Sequence, residues 1–218
     1  MLRTCIIILS VLFFHTASNS QAKVSLEQYH YVGKSQPYVF MPVATFLSNR
    51  NWYAEARYNY EELQTFSLYL GKSFTGDNRL SYSLTPVIGA AIGRFEGIST
   101  GLNIELEYDK FFFSAQSQYS KSTPKGKGSD DFFYSWSELG YQPLNWLYAG
   151  ASFQHTYTDY EKLIEPGALV GFSFGRYSIP VYGFDLLNNE RYFIIGLIVS
   201  WEGAKKPGSN KPTKPVKF

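Results

Sequence analysis

Cysteine and long apolar segments are what this chain has least of, and each absence excludes a class of protein. The single cysteine, Cys5, lies in an N-terminal apolar run, so the rest of the chain has no disulfide and no cysteine-ligated metal site. Past residue 20 no apolar segment approaches the roughly 20 residues that a transmembrane helix requires. The longest candidate, Tyr192 to Trp201, is interrupted by Gly196 and Ser200. A helical membrane protein is therefore excluded.

Charged residues and histidines are also scarce. Asp, Glu, Lys and Arg make up 17% of the chain, and the net charge of +2 is too small to suggest a nucleic-acid partner. Past the N-terminal run two histidines remain, His30 and His155. Two histidines without a cysteine do not predict a metal site, and no Gly-rich phosphate loop is present. We therefore expect no metal and no other cofactor.

The first twenty residues have the pattern of an export signal. Arg3 supplies the positive charge, and Cys5 to Phe14 forms an apolar run of the length of a signal h-region. Ser18-Asn19-Ser20 before Gln21 would suit signal peptidase. We expect residues 1–20 to be removed and residues 21–203 to form one domain. Residues 204–218, rich in Lys and Pro, should form a flexible periplasmic tail.

Aromatic residues are abundant, with 18 Tyr, 18 Phe and 4 Trp, and they take part in a two-residue alternation. Between Tyr38 and Trp201 apolar or aromatic side chains alternate with polar or small ones. Successive side chains of a strand point to opposite faces, so this alternation predicts two-faced strands. Residues 51–61 are predicted to place Trp52, Ala54, Ala56, Tyr58 and Tyr60 on one face and Glu55, Arg57, Asn59 and Glu61 on the other.

The alternation predicts eleven strands. They are Tyr38–Ser48, Asn51–Glu61, Thr65–Ser73, Leu80–Gly93, Ile98–Tyr108, Phe111–Ser120, Phe132–Tyr141, Trp146–Thr156, Gly167–Gly175, Tyr177–Leu186 and Arg191–Trp201. Single-chain bacterial barrels have an even number of strands, with short turns on one side and long loops on the other. Val24–Tyr31 is the only place for a first strand that satisfies both rules. The sequence favours twelve strands, with ten as the alternative because Val24–Tyr31 alternates poorly.

These strands predict an all-β fold, a closed antiparallel up-and-down transmembrane β-barrel. A soluble lipocalin-like barrel would alternate in the same way. However, side chains or one small ligand can fill the interior of a barrel of eight strands, and twelve strands exceed that number. Aromatic residues lie at strand ends, where an interfacial girdle would place them. The predicted girdle comprises Trp52, Tyr60, Tyr108, Tyr141, Trp146, Tyr157, Tyr177, Tyr192 and Trp201. We therefore expect the apolar face to meet lipid.

The last strand carries Gly196-Leu197-Ile198-Val199-Ser200-Trp201, which follows a Gly-x-x-apolar-x-aromatic pattern. Here the chain resembles the bacterial outer-membrane β-barrel superfamily, and the resemblance covers most of residues 38–201. It implies an outer-membrane location and an assembly signal, formed by Gly196, Val199 and Trp201, that the barrel-insertion machinery reads. Ile194 stands where the pattern prefers a polar residue.

Placing the apolar face against lipid turns a set of charged residues toward the lumen, because a basic residue facing lipid at mid-depth costs about 2–4 kcal/mol. The set is Glu55, Arg57, Glu105, Glu107, Glu138 and Asp185. An inward Glu138 also turns Tyr134 and Trp136 inward. Arg57 is the one secure base, so we expect an acidic lumen. The charged groups either fill the barrel as an Arg–carboxylate network or line a water-filled path for cations or polar solutes.

The function predicted is that of a non-catalytic outer-membrane barrel in contact with lipid. It is either a narrow pore for small polar solutes or a structural barrel with a plugged lumen, whose loops or tail bind a protein partner. One alternative is a lipid hydrolase that uses His155. Ser152 lies three residues before His155 and so on the other face, which would require a hydroxyl from a neighbouring strand. The other alternative is a soluble periplasmic ligand-binding barrel.

Overall fold

The computed structural model describes residues 22–33, 37–123, 130–187 and 191–202. The predicted export signal, residues 1–20, and the predicted tail, residues 204–218, lie outside the described residues. Within the described ranges no helix is both long enough and apolar enough to cross a membrane. The regular structure there consists of thirteen strand segments: β1 Lys23–Gly33, β2 Val39–Leu47, β3 Trp52–Tyr58, β4 Phe66–Lys72, β5 Phe74–Asp77, β6 Ser81–Ile92, β7 Gly97–Tyr108, β8 Phe111–Ser122, β9 Phe132–Leu144, β10 Leu147–Thr158, β11 Lys162–Phe174, β12 Tyr177–Phe184 and β13 Tyr192–Glu202.

The segments form one antiparallel sheet that closes on itself, since β1 pairs with β13 and β4 pairs with β6. Segments β4 and β5 belong to one barrel strand, because both pair with β6 in a continuous register. The break between them falls opposite Pro86, which has no N–H to donate to the ladder. The chain is therefore a twelve-stranded up-and-down barrel, as the sequence predicts. The weakly alternating Val24–Tyr31 is confirmed as the first strand.

The connections between strands lie at two opposite ends of the barrel. One end, here called the turn end, carries the short connections at residues 48–51, 78–80, 109–110, 145–146 and 175–176, together with Lys23 and Glu202. The other, here called the loop end, carries the connections at residues 59–65, 93–96 and 159–161, among those that the structure describes in full. Between the predicted strands Trp146–Thr156 and Gly167–Gly175 the chain continues as strand and does not form a long loop. Segments β10 and β11 continue as a hairpin in which Tyr157 pairs with Lys162.

The two faces of the wall differ in polarity. Large apolar side chains cover much of the outer surface, and Leu70, Ile88 and Ile92 are each more than 60% exposed. Inward positions carry buried polar groups, among them Ser67 and Gln118. This arrangement places the apolar face outward, as lipid would require and opposite to a soluble barrel.

One side of the lumen nevertheless holds an apolar cluster drawn from β1, β2 and β9–β13. Its buried members are Tyr29, Met41, Trp136, Tyr148, Leu169, Tyr182, Phe184, Tyr192 and Ile194. The prediction that Tyr192 belongs to an outer girdle is therefore wrong. Tyr192 shares the inward parity of Ile194, and its hydroxyl donates to Glu165 at 2.9 Å. By contrast, Trp52, Tyr108 and Tyr157 are exposed near strand ends.

Inward glycines make room for rings of this cluster and its surroundings. Gly171 of β11 lies directly opposite Tyr148 of β10, and a Cβ built on Gly171 would lie 1.9 Å from the Tyr148 ring. In the same way Gly140 of β9 lies opposite Phe112 of β8, at 2.1 Å. Each ring fills the space over a glycine in the neighbouring strand and stays close to the wall.

Candidate functional site in the barrel lumen

Arg57 is the centre of a hydrogen-bonded cluster inside the barrel. Alternation along β3 turns Glu55 and Arg57 inward, and only 2% of the Arg57 side chain is exposed. Its Nε donates to Glu55 Oε1 at 2.8 Å and its Nη2 to Glu55 Oε2 at 3.0 Å. Its Nη1 donates to Gln118 Oε1 at 2.6 Å and to Glu61 Oε1 at 3.4 Å. A buried charge is tolerated when it is paired and hydrogen-bonded in this way.

Two aromatic rings complete the cluster. The Arg57 guanidinium carbon lies 4.2 Å from the Tyr60 ring centroid and 4.3 Å from that of Tyr69. Both are cation–π contacts, which are worth more in a desolvated site than at a surface. The Tyr69 hydroxyl also donates to Glu61 at 2.8 Å. Below, the Arg57 network means Arg57, Glu55, Glu61, Gln118, Tyr60 and Tyr69.

The β3–β4 connection brings Tyr60 and Glu61 into this network. Strand β3 ends at Tyr58, and Asn59 adopts a left-handed φ of 59° that interrupts the alternation. Asparagine tolerates this conformation because its short side chain bonds nearby backbone. Its Nδ2 donates to the Phe40 carbonyl at 2.9 Å, and its Oδ1 accepts from the Gln64 N–H at 2.7 Å. The predicted outward position of Tyr60 is wrong because that prediction continued the strand beyond Tyr58.

The remaining predicted lumen residues lie at different heights. Glu105 is on the inward face of β7, and Glu107 lies closer to the turn end. Glu138 is inward on β9 and accepts from the Tyr182 hydroxyl at 2.7 Å. Asp185 follows the last residue of β12 with a φ of 50°, so it lies at the loop end beyond the strand.

The contact between Trp136 and Ser152 shows which side chains of β9 and β10 point into the lumen. Trp136 points inward beside Glu138, as their shared parity predicts, and its Nε1 donates to Ser152 Oγ at 2.9 Å. Ser152 is therefore inward, on the face opposite to His155.

Sequence reasoning missed Glu27, Gln118 and Glu61 as site residues. Glu27 is buried on β1 and accepts from the Tyr29 hydroxyl at 2.6 Å. The signal for Glu27 was present, because Ser25, Glu27 and Tyr29 share one face, but outward residues of β1 include polar ones that obscure it. Glu61 was assigned to the polar face of its strand without a role. The sequence does not show that Gln118 of β8 and the β3–β4 connection meet at Arg57.

Two cavities occupy the lumen on either side of the Arg57 network. The turn-side cavity has a volume of about 130 Å³, and its acidic lining residues are Glu27, Glu55, Glu105 and Glu138. The loop-side cavity has a volume of about 530 Å³, and its acidic lining residues are Glu61, Glu62 and Asp130. On β8, Gln116 lines the first cavity and Gln118 the second. The network therefore divides the lumen within about one layer of side chains.

The outer wall holds the residues of the lipid-hydrolase alternative. His155 points outward, and its ring meets the Phe133 ring edge-on at 5.8 Å between centroids. The neighbouring-strand hydroxyl opposite it belongs to Ser135, which is bonded to Ser117 with their oxygens 2.8 Å apart. His155 Nε2 has no hydrogen-bond partner among the described residues. A Ser–His pair is thus not formed at this place. Nor do any three His, Cys, Asp or Glu side chains of the described ranges form a group that could hold a metal ion.

The residues of the predicted assembly signal lie at the seam where β13 meets β1. Gly196 faces inward opposite Tyr29, whose ring lies 3.0 Å from a Cβ built on the glycine. Val199 and Trp201 have the opposite parity and face outward. Recognition of these residues by the insertion machinery stays a prediction.

The fold is that of solved porins. A structure of the KdgM porin matches with a TM-score of 0.55 and 9% identity over 82% of this chain and 99% of that one. The KdgM porin in complex with disordered oligogalacturonate gives 0.56 and 9% over the same shares. The NanC porin gives 0.57 and 12% over 80% of this chain and 98% of that one. No family model and no curated protein matches the sequence. At these identities the similarity establishes the fold.

Proposed function

We propose that the chain forms a non-catalytic channel in the bacterial outer membrane, with its turn end in the periplasm and its loop end outside. Its solutes are small cations and small polar molecules. The observation that carries this proposal is the pair of cavities in one lumen, each with acidic lining residues, separated only by the Arg57 network. The apolar outer wall and the porin fold support the membrane location.

The charges of the lumen favour cations. Among the described residues that line the turn-side cavity, Lys23 is the one basic residue, and its Nζ is 3.3 Å from Glu202 at the mouth. Among the described residues that line the loop-side cavity, the charged ones are all acidic. Rings of carboxylates select cations in a narrow pore. We therefore expect this lumen to disfavour an acidic polymer such as the oligogalacturonate of the KdgM complex.

Planar-bilayer recording of the purified protein tests both parts of the proposal. A salt gradient should give a reversal potential of the sign for cation selectivity, and Glu105→Gln should reduce it because one carboxylate facing the cavity is neutralised. Glu161→Gln changes an exposed carboxylate in the β10–β11 turn and serves as the matched control. Anion selectivity would contradict the charge argument. A preparation that passes no current, although its heat-modifiable gel mobility shows that it is folded, would contradict the channel function.

A structural barrel with a sealed lumen is the second candidate. It is favoured by the buried Arg57, whose donors are directed to Glu55, Gln118 and Glu61 rather than to open water. In that case the loops or the tail would bind a partner protein, and the barrel would anchor it to lipid. Such a barrel would be silent in the bilayer recording while remaining fully folded.

The proposed lack of catalysis is supported by the hydrogen bond between Ser135 and Ser117, since Ser135 does not bond the directly opposite His155. Purified protein should not hydrolyse phospholipid or lipid A esters above the level of the double variant Ser135→Ala, His155→Ala. If the purified protein hydrolysed these esters and the double variant did not, the hydrolase alternative would be supported.

A further inference from the structure

Tyr60 occupies a position that no other described lining residue shares. It borders both the turn-side and the loop-side cavity. Glu55 borders only the first and Glu61 only the second, and Arg57 lies between them. The Tyr60 ring therefore lies at the boundary between the two cavities.

Three contacts hold the ring across the lumen. Its face lies over the Arg57 guanidinium on β3. Its hydroxyl donates to Gln116 Oε1 on β8 at 3.0 Å. Its ring meets that of Tyr134 on β9 nearly perpendicularly, with the centroids 5.8 Å apart. Tyr60 thus reaches from the β3–β4 connection to strands on another part of the wall.

The connection that carries Tyr60 is positioned separately from the barrel strands. Asn59 and Gln64, at its two sides, have left-handed φ values of 59° and 58°. The Asn59 side chain bonds both Phe40 and Gln64, and the Asn59 N–H donates to the Thr65 carbonyl at 2.9 Å. The conformation of a short loop therefore determines where the ring lies.

We propose that Tyr60 is the residue that sets the size limit of the channel. This inference rests on the proposed channel function and names the side chain that decides which solutes pass. The ring blocks the passage between the cavities, and the bond to Gln116 keeps it there. Solutes small enough to pass beside the ring cross the Arg57 network, and larger ones stop in the loop-side cavity.

The first experiment compares wild type with Tyr60→Ala and Tyr60→Phe in bilayers and in liposome-swelling assays with neutral sugars of increasing size. Removing the ring should raise conductance by about twofold or more and admit larger sugars, because the narrowest section widens. Tyr60→Phe keeps the ring, so the size limit should stay while the current becomes noisier without the Gln116 bond. Tyr58→Ala, which removes an exposed outward ring from the end of β3, is the control.

A second experiment compares the same folded protein before and after a bulky group is attached at position 60. Tyr60→Cys is recorded before and after addition of a bulky methanethiosulfonate reagent. The only native cysteine, Cys5, lies in the segment predicted to be removed. Modification should lower the conductance of Tyr60→Cys and leave Tyr58→Cys unchanged.

The outcomes separate this inference from the channel function. If wild type conducts and neither Tyr60→Ala nor modified Tyr60→Cys differs, the size-limiting role is overturned and the channel stands. If wild type is silent and Tyr60→Ala conducts, Tyr60 is the obstruction but the native protein is not an open channel. If both are silent although folded, both proposals fail.

Discussion

Arg57 donates two hydrogen bonds to Glu55, two positions away on the same strand, and both side chains are buried. Alternation places residues i and i+2 on one face, so the pair forms within β3 without a neighbouring strand. Glu61, four residues further along, and Gln118, on the distant strand β8, accept the remaining Nη1 hydrogen bonds. The Arg57–Glu55 pair is therefore local, but the full set of hydrogen bonds of the Arg57 guanidinium forms only in the closed barrel.

Replacing Arg57 by Met should lower the free energy of unfolding by about 3–5 kcal/mol, because Glu55 and Glu61 would be left buried without their cation. Denaturant unfolding in lipid vesicles, followed by tryptophan fluorescence, measures this change. The control is Arg94→Met, since Arg94 pairs with Glu62 at 3.2 Å where both side chains are exposed. We expect a loss of about 0–1 kcal/mol there. Equal losses for the two variants would contradict the network.

A charge on the outer wall should be costly at mid-height and tolerated near an end. Ile88 is 63% exposed near the middle of β6, whereas Leu80 lies in the turn before that strand. Ile88→Arg should therefore cost about 2–4 kcal/mol of unfolding free energy in vesicles, and Leu80→Arg about 0–1 kcal/mol. The same denaturant titration measures both. If Ile88→Arg were neutral, that face would not contact lipid.

Gly171→Ala should destabilise the barrel by about 1–3 kcal/mol, because the added methyl group overlaps the Tyr148 ring. The penalty should largely vanish in the Tyr148→Ala background, where the space above Gly171 is open. A double-mutant cycle of unfolding free energies measures this coupling. Additive effects of the two substitutions would show that the ring does not occupy the glycine position.

Trp201→Ala should slow insertion of the barrel by the assembly machinery more than it changes the stability of the folded protein. Trp201 faces outward at the end of the last strand, so its removal leaves the lumen intact. The fraction of heat-modifiable protein after pulse labelling measures insertion in cells. Trp52→Ala, which removes an exposed tryptophan from β3, is the control. Equal insertion rates for the two variants would contradict the assembly signal.

The strand count and the facing of most strands could be predicted from the sequence. Leu102 and Ile104 alternate with Asn103 and Glu105, and a strand has only two faces, so one assignment settles the whole run. The first strand was found from a different requirement, since connection lengths demanded a strand where the alternation of Val24–Tyr31 was weak.

The predicted side-chain orientation was wrong where the chain leaves a strand and where part of the lumen is apolar. Tyr60 was assigned by continuing the alternation through Asn59, whose left-handed conformation ends it. Tyr192 was expected outside, because aromatic residues at strand ends were assigned to the interfacial girdle. In the structure it packs inside against Phe184, in a cluster that also contains Ile194.

By itself the sequence determined the period of two and the acidic character of the inward face, because these depend only on neighbours along the chain. The closure between β1 and β13, the meeting of Arg57 with Gln118 and the contact of Tyr60 with Gln116 were decided only by tertiary structure. Each joins residues far apart in sequence, and their proximity depends on strand register around a closed sheet. Local alternation determines which face of the wall a side chain lies on, and the closed barrel determines which other side chains it contacts there.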